Sequence, residues 1–152
     1  MKRFSLTDLI IFVVVTELVG AVSALIAGNF SMFYSQITQP PLSPPAIVFP
    51  VVWAVLYAFM GISAYMIYRT GKNYALKIYI IQLAVNFSWS IIFFRFRFFT
   101  LAAIVAVILF LLVGTMIFVF SRVRKISALL NIPYLLWCAF AAYLAIGVCI
   151  LN

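Results

Sequence analysis

Trp53, Trp89 and Trp137 offer the broad π faces of this chain, and Gln82, Asn86 and Glu17 offer its hydrogen-bonding groups inside otherwise apolar runs. An indole stacks on a flat ring, and one or two amide or hydroxyl groups fix the orientation of what is stacked. Conventional catalysis has little to work with. Histidine is absent, which removes the commonest metal ligand, haem ligand and general base. Cys138 and Cys149 are the only thiols. On a single helix, eleven residues of rise part them by about 16 Å, too far for a disulfide. No nucleophile–base pair, metal-ligand cluster or nucleotide loop is visible, so no metal site and no prosthetic group is expected.

The spacing of these residues sorts them onto helix faces. Trp53, Tyr57, Met60 and Ala64 follow one another by three or four residues, as do Gln82, Asn86, Trp89 and Phe93, and again Tyr134, Trp137, Ala141 and Leu144. Each stripe alone reads as ordinary helix packing, and Tyr34, Tyr74 or Tyr143 could simply sit at a membrane interface. Depth links the stripes. Trp53 lies eight residues past Pro45 and Asn86 eight before Phe94, each about 12 Å from the same end at helical rise. Ala141 falls at about 15 Å and Trp137 at about 20 Å by the same measure. Three helices can thus bring large π faces and an amide into one layer, forming an aromatic, nearly charge-free cavity for a flat hydrophobic molecule. Asn86 must face a neighbouring helix or a ligand, because an amide in hydrocarbon needs a partner.

The elements that position them are membrane helices. The chain is 68% hydrophobic and 8% charged, with a mean hydropathy of +1.29, and 152 residues cannot hide that much apolar surface from water. One domain, residues 1–152, is expected: an all-α bundle of five transmembrane helices over 5–27, 46–68, 74–94, 98–121 and 126–151. Lys2 and Arg3 before an apolar run resemble a signal peptide, but Glu17 interrupts the run and the segment is read as a retained first span. Pro44 and Pro45 suit the first turn of the second span, and Pro133 should kink the fifth.

Ten Lys and Arg against two acids give a net charge of +8. The basic residues lie in short clusters between apolar runs, so they read as orientation signals rather than a nucleic-acid surface. With the N-terminus inside, eight face the cytoplasm and Arg95 and Arg97 face out. The 28–45 loop and the C-terminus are then external. The five-helix count and the lack of internal repeats disfavour a transporter built from inverted halves. Glu17 should face the bundle, as a proton relay or ligand contact or as a hydrogen-bond partner to another helix near Pro133. Gly20, Ala24 and Gly28 form a small-residue ridge suited to close helix contact, within the chain or across a homodimer.

Pro44-Pro45, Phe49-Pro-Val-Val-Trp53 with Leu56-Tyr57, Gln82-Leu-Ala-Val-Asn86-Phe-Ser-Trp89 and Pro133-Tyr134-Leu-Leu-Trp137-Cys-Ala-Phe-Ala141 occur in order on successive spans. The chain resembles the translocator protein family, also called tryptophan-rich sensory proteins. That resemblance implies a five-helix bundle, commonly dimeric, that binds protoporphyrin IX and related tetrapyrroles as ligands, along with isoquinoline carboxamides and benzodiazepines. It maps a ligand site onto Tyr34, Pro44, Phe49, Trp53, Asn86, Trp89, Trp137 and Ala141, beside Tyr57 of the same stripe. In some bacterial relatives it also implies light- and oxygen-dependent porphyrin breakdown, a role that would fall to Trp53 and Trp137. Leu42-Ser43 stands where the family often has Trp, and no Lys or Arg follows Tyr143, so the animal-type sterol motif is missing. A bacterial cell-membrane receptor or sensor is the leading expectation, with a porphyrin-degrading catalyst and a tetrapyrrole transporter as alternatives.

Overall fold

Ser5 starts the first helix: its hydroxyl accepts from the Asp8 N–H at 3.2 Å, and Asp8 places negative charge in the first turn, where the helix dipole favours it. This helix, α1, spans Leu6–Ala27 in a computed structural model that describes residues 1–152. It is followed by α2 (Phe30–Gln36), α3 (Val48–Arg69), α4 (Asn73–Ser90), α5 (Phe99–Val123), α6 (Lys125–Leu129) and α7 (Ile132–Leu151). A π-helical turn over Ile91–Arg95 extends α4. Five segments are long and apolar enough to cross a bilayer: α1, α3, α4 with its π turn, α5, and α6 joined to α7. The fold is the all-α five-span bundle that the sequence predicts.

Three local features differ from expectation. The first loop contains α2, capped by the Asn29 side chain, which accepts from the Met32 N–H at 3.0 Å. Pro44 and Pro45 precede α3, and Pro50 occupies its first turn, where a missing N–H leaves no bond unmade. Pro133 does not kink a continuous helix. The fifth span breaks at Leu130–Asn131, and Pro133 lies in the first turn of α7. The Asn131 carbonyl accepts from Leu135 N at 3.0 Å, and its amide donates to the Ser127 carbonyl at 2.9 Å and the Ser63 hydroxyl at 2.6 Å.

In lipid, helices gain little from burying apolar surface against each other, so close packing and interhelical hydrogen bonds hold the bundle. α5 shows the packing: Ala102, Ala106, Leu109, Val113, Met116 and Phe120 form one buried stripe, while Ile104, Ile108, Leu111 and Phe118 face outward. On α1, two turns apart, Thr16 bonds the Tyr79 hydroxyl of α4 and Ser23 donates to the Phe87 carbonyl at 3.0 Å. Gly61 of α3 lets that helix approach α1, since a Cβ there would sit 2.7 Å from Val13 Cα.

The basic residues separate to the two ends. Lys2 N donates to the Arg69 carbonyl at 2.7 Å at one end, and Arg97 donates to Gln36 Oε1 at 2.6 Å at the other, beside α2.

Candidate functional site

The space where α3 faces α7 is filled by aromatic rings. Trp53 stacks on Tyr57 with centroids 5.5 Å apart and meets Trp137 edge-on at 6.5 Å and 89°. Phe49, one turn earlier on α3, meets Trp137 at 5.8 Å. Residues four apart on one helix stand one above the other, so the pattern Phe49, Trp53, Tyr57 makes a continuous wall. The opposite wall comes from the end of α4, where Trp89 stacks on Phe93 at 5.2 Å and donates its indole N–H to the Ala102 carbonyl at 3.0 Å.

Between these walls lies a hollow of about 360 Å³, within the range of pockets that hold drug-sized ligands. Glu17, Gly20, Ala21 and Ala24 of α1 line one side, and Ala141, Leu144, Ala145 and Val148 of α7 another. Small residues on both helices leave the room that the large rings border. The wall carries one carboxylate, Glu17, and no Lys, Arg or His.

The segment between α1 and α3 covers one end. Ile37, Gln39, Pro40 and Ser43 reach the hollow from above. Tyr34 donates to the Pro44 carbonyl, Gln39 Nε2 donates to the Tyr34 carbonyl at 2.7 Å, and Tyr143 of α7 donates to the Pro41 carbonyl at 2.6 Å. Asn152 grips Thr38 twice, accepting from its N–H at 2.9 Å and donating to its carbonyl at 2.8 Å. Burial pushes the Tyr34 hydroxyl above the usual tyrosine range, against a smaller opposing effect of Ser43, so it stays a donor at neutral pH.

The structure brings together Tyr34, Phe49, Trp53, Tyr57, Trp89, Trp137 and Ala141 on this one cavity. Two residues of the sequence-based set stand elsewhere. Pro44 is off the wall and acts through its carbonyl, which holds Tyr34. Asn86 is 1% exposed and lies behind the wall. It accepts from the Tyr57 hydroxyl at 2.8 Å and donates to the Tyr134 hydroxyl at 2.7 Å. Tyr134 in turn donates to Gln82 Oε1 at 2.7 Å. The amide has found helix neighbours, which satisfies the requirement for a partner without a ligand.

Phe93, the last member of the α4 stripe, also lines the hollow, as do Phe30 and Phe94, which the sequence-based site set lacks. Adjacent Phe93 and Phe94 both reach it because the π turn, marked by Phe96 N donating to the Ile91 carbonyl at 3.1 Å, alters the helical register there. The ridge of Gly20, Ala24 and Gly28 borders the hollow, and within the chain Gly20 gives α3 the close contact expected of it, since a Cβ there would sit 2.2 Å from the Tyr57 ring. Glu17 lies on this wall.

A family profile described as the TspO/MBR family matches residues 12–151, which take in every residue lining the cavity. This chain belongs to the TspO/MBR family. It is 32% identical to the tryptophan-rich protein TspO of Chlorobaculum tepidum, over 80% of each chain. It is 31% identical to protein CrtK of Rhodobacter capsulatus, over 97% of this chain and 94% of that one. Identity to the translocator protein of Ovis aries is 30%, over 78% of this chain and 74% of the relative. Membership in TspO/MBR and five apolar spans together make this an integral membrane protein.

Proposed function

We propose that this TspO/MBR protein is a membrane receptor or sensor that holds a flat hydrophobic ligand, protoporphyrin IX or a related tetrapyrrole, between its aromatic walls. The observation that carries the reading is the shared hollow of about 360 Å³ bordered by Trp53, Trp89, Trp137 and Phe49. Ring faces and edges there suit a macrocycle, and the small residues of α1 and α7 leave the space for it. The porphyrin is a ligand in this reading, not a resident cofactor. Its propionates would reach toward the covering segment and water, because the wall holds no cation. Isoquinoline carboxamides fit the same description of a flat apolar body with a small polar group. We place the N-terminus in the cytoplasm of a bacterial cell and the covering segment outside, on the eight-to-two division of basic residues between the two ends. Pairing of two copies would use an outer face, because the Gly20–Ala24 ridge borders the hollow.

The contact between Trp53 and Trp137 favours one second reading, light-dependent porphyrin breakdown with these indoles as reactive groups. Titration of protoporphyrin IX in the dark, followed by illumination, separates the alternatives. Saturable quenching of tryptophan emission with the pigment preserved supports a receptor. Pigment loss that vanishes in Trp53→Phe/Trp137→Phe supports breakdown. Flux across proteoliposomes without either supports transport.

A further inference from the structure

Most polar groups of the cavity wall are already engaged. Tyr57 donates to Asn86, Trp89 to Ala102, Tyr34 to Pro44, Ser43 to Pro40 and Gln39 to Tyr34. On α1, Thr16 and Ser23 are likewise held by α4. Glu17 is different. It is half-buried on the cavity side of α1 and has no hydrogen-bonding or charged partner. Across the hollow, the indole N–H of Trp137 is buried with no acceptor.

A lone carboxylate at membrane depth is costly, and that cost falls when a donor or cation is brought to it. Anionic groups carried to the same level meet repulsion, with no Lys, Arg or His in the wall to offset it. We infer that Glu17 is the specificity-determining residue of this cavity, selecting flat aromatic guests that present an N–H donor or a cationic nitrogen. A guest that presents a carboxylate at that depth is rejected. This rests on the cavity being the ligand site, and it names the ligand chemistry that the rings alone do not determine.

Three tricyclic probes of one shape isolate charge from stacking: cationic 9-aminoacridine, neutral acridine and anionic acridine-9-carboxylate. Binding to the purified full chain is read from quenching of tryptophan emission. The wild type is expected to bind the amine at least tenfold more tightly than the carboxylate, with acridine between. Glu17→Gln, which keeps shape and removes the charge, is expected to bring that ratio to threefold or less. An unchanged ratio in Glu17→Gln overturns the inference, as does a wild type that does not discriminate.

A measurement on the wild type guards against a misfolded variant. Dicyclohexylcarbodiimide, a hydrophobic carboxyl reagent, should label the peptide carrying Glu17, and 9-aminoacridine should reduce that labelling at least fivefold. Unprotected labelling overturns the inference. Protoporphyrin IX dimethyl ester, run alongside, tests the porphyrin reading separately. If the ester fails to bind while the acridines discriminate through Glu17, the porphyrin assignment falls and the selectivity stands.

Discussion

The indole of Trp53 meets that of Trp137 edge to face, at 6.5 Å and 89°, across the seam between α3 and α7. Their stripes are more than eighty residues apart in sequence, so only the folded bundle makes them neighbours. Both indoles line the hollow, and an edge-to-face aromatic pair is worth about 0.5–1.5 kcal/mol. A flat guest that enters the hollow can add the same kind of contact with both.

Replacing either indole by phenylalanine keeps an aromatic wall but shrinks it. Trp53→Phe and Trp137→Phe are each expected to weaken protoporphyrin IX binding roughly three- to tenfold, the affinity equivalent of one such contact. Fluorescence titration of each variant, using the remaining tryptophans, reads the change. Affinity unaltered in both variants contradicts the placement of the ligand.

Asn86 makes a different prediction because it stands behind the wall. Asn86→Ala leaves the Tyr57 hydroxyl without its acceptor, while Tyr134 keeps Gln82, and an orphaned buried polar group costs about 1–3 kcal/mol. Thermal unfolding in detergent should show a lower Tm in Asn86→Ala.

The glycines of α3 and α5 give a paired test. A Cβ on Gly61 would meet backbone, Val13 Cα at 2.7 Å and the Phe12 carbonyl oxygen at 2.9 Å. Gly61→Ala must push α1 away from α3, and overpacking of this kind costs about 1–3 kcal/mol. Gly114 has its nearest neighbour at 3.9 Å, so Gly114→Ala gains helix propensity without a clash. The first variant should melt lower than the wild type and the second no lower.

These contrasts mark what the sequence made legible. Helical spacing alone put Trp53, Tyr57, Trp89 and Trp137 on inward faces, because in a bundle this small an aromatic stripe has few other places to pack. Depth counting placed Asn86 at the right level but not behind Tyr57, since rise says nothing of which neighbour an amide will choose. Adjacent Phe93 and Phe94 cannot share a face at α-helical spacing, and only the π turn brings both to the hollow. The break before α7 left a signal in Asn131-Ile-Pro133, a cap-like residue followed by proline, which a continuous apolar run obscured.

The covering segment should respond to its tethers. Asn152→Ala removes both side-chain bonds to Thr38 and is expected to quicken proteolysis between Ile37 and Ser43 and to speed ligand release. Stopped-flow dissociation and limited proteolysis check the two effects. A variant with wild-type release and cleavage means that Tyr143 and Tyr34 suffice to hold the segment.

Tyr34 gives the pH dependence. Its hydroxyl is raised above the usual value near 10 by burial, so the folded chain holds this proton more tightly than the unfolded one. Its contribution to stability is fully present below the unfolded value and is lost as pH climbs through the folded one. Tm profiles of the wild type and Tyr34→Phe should therefore run parallel up to about pH 9 and converge at higher pH. Divergence at neutral pH contradicts a protonated Tyr34.

The central claim is that one hollow, bordered by indoles from α3, α4 and α7, receives the ligand. Ala141 lines it from α7, so Ala141→Phe should fill the space while leaving Trp53, Trp89 and Trp137 in place as reporters. Titration with protoporphyrin IX in the dark is expected to quench wild-type tryptophan emission saturably at one pigment per chain. The same titration of a folded Ala141→Phe protein should lose affinity at least tenfold. Equal quenching of both proteins, or quenching that never saturates, would place the pigment outside the cavity and contradict the account.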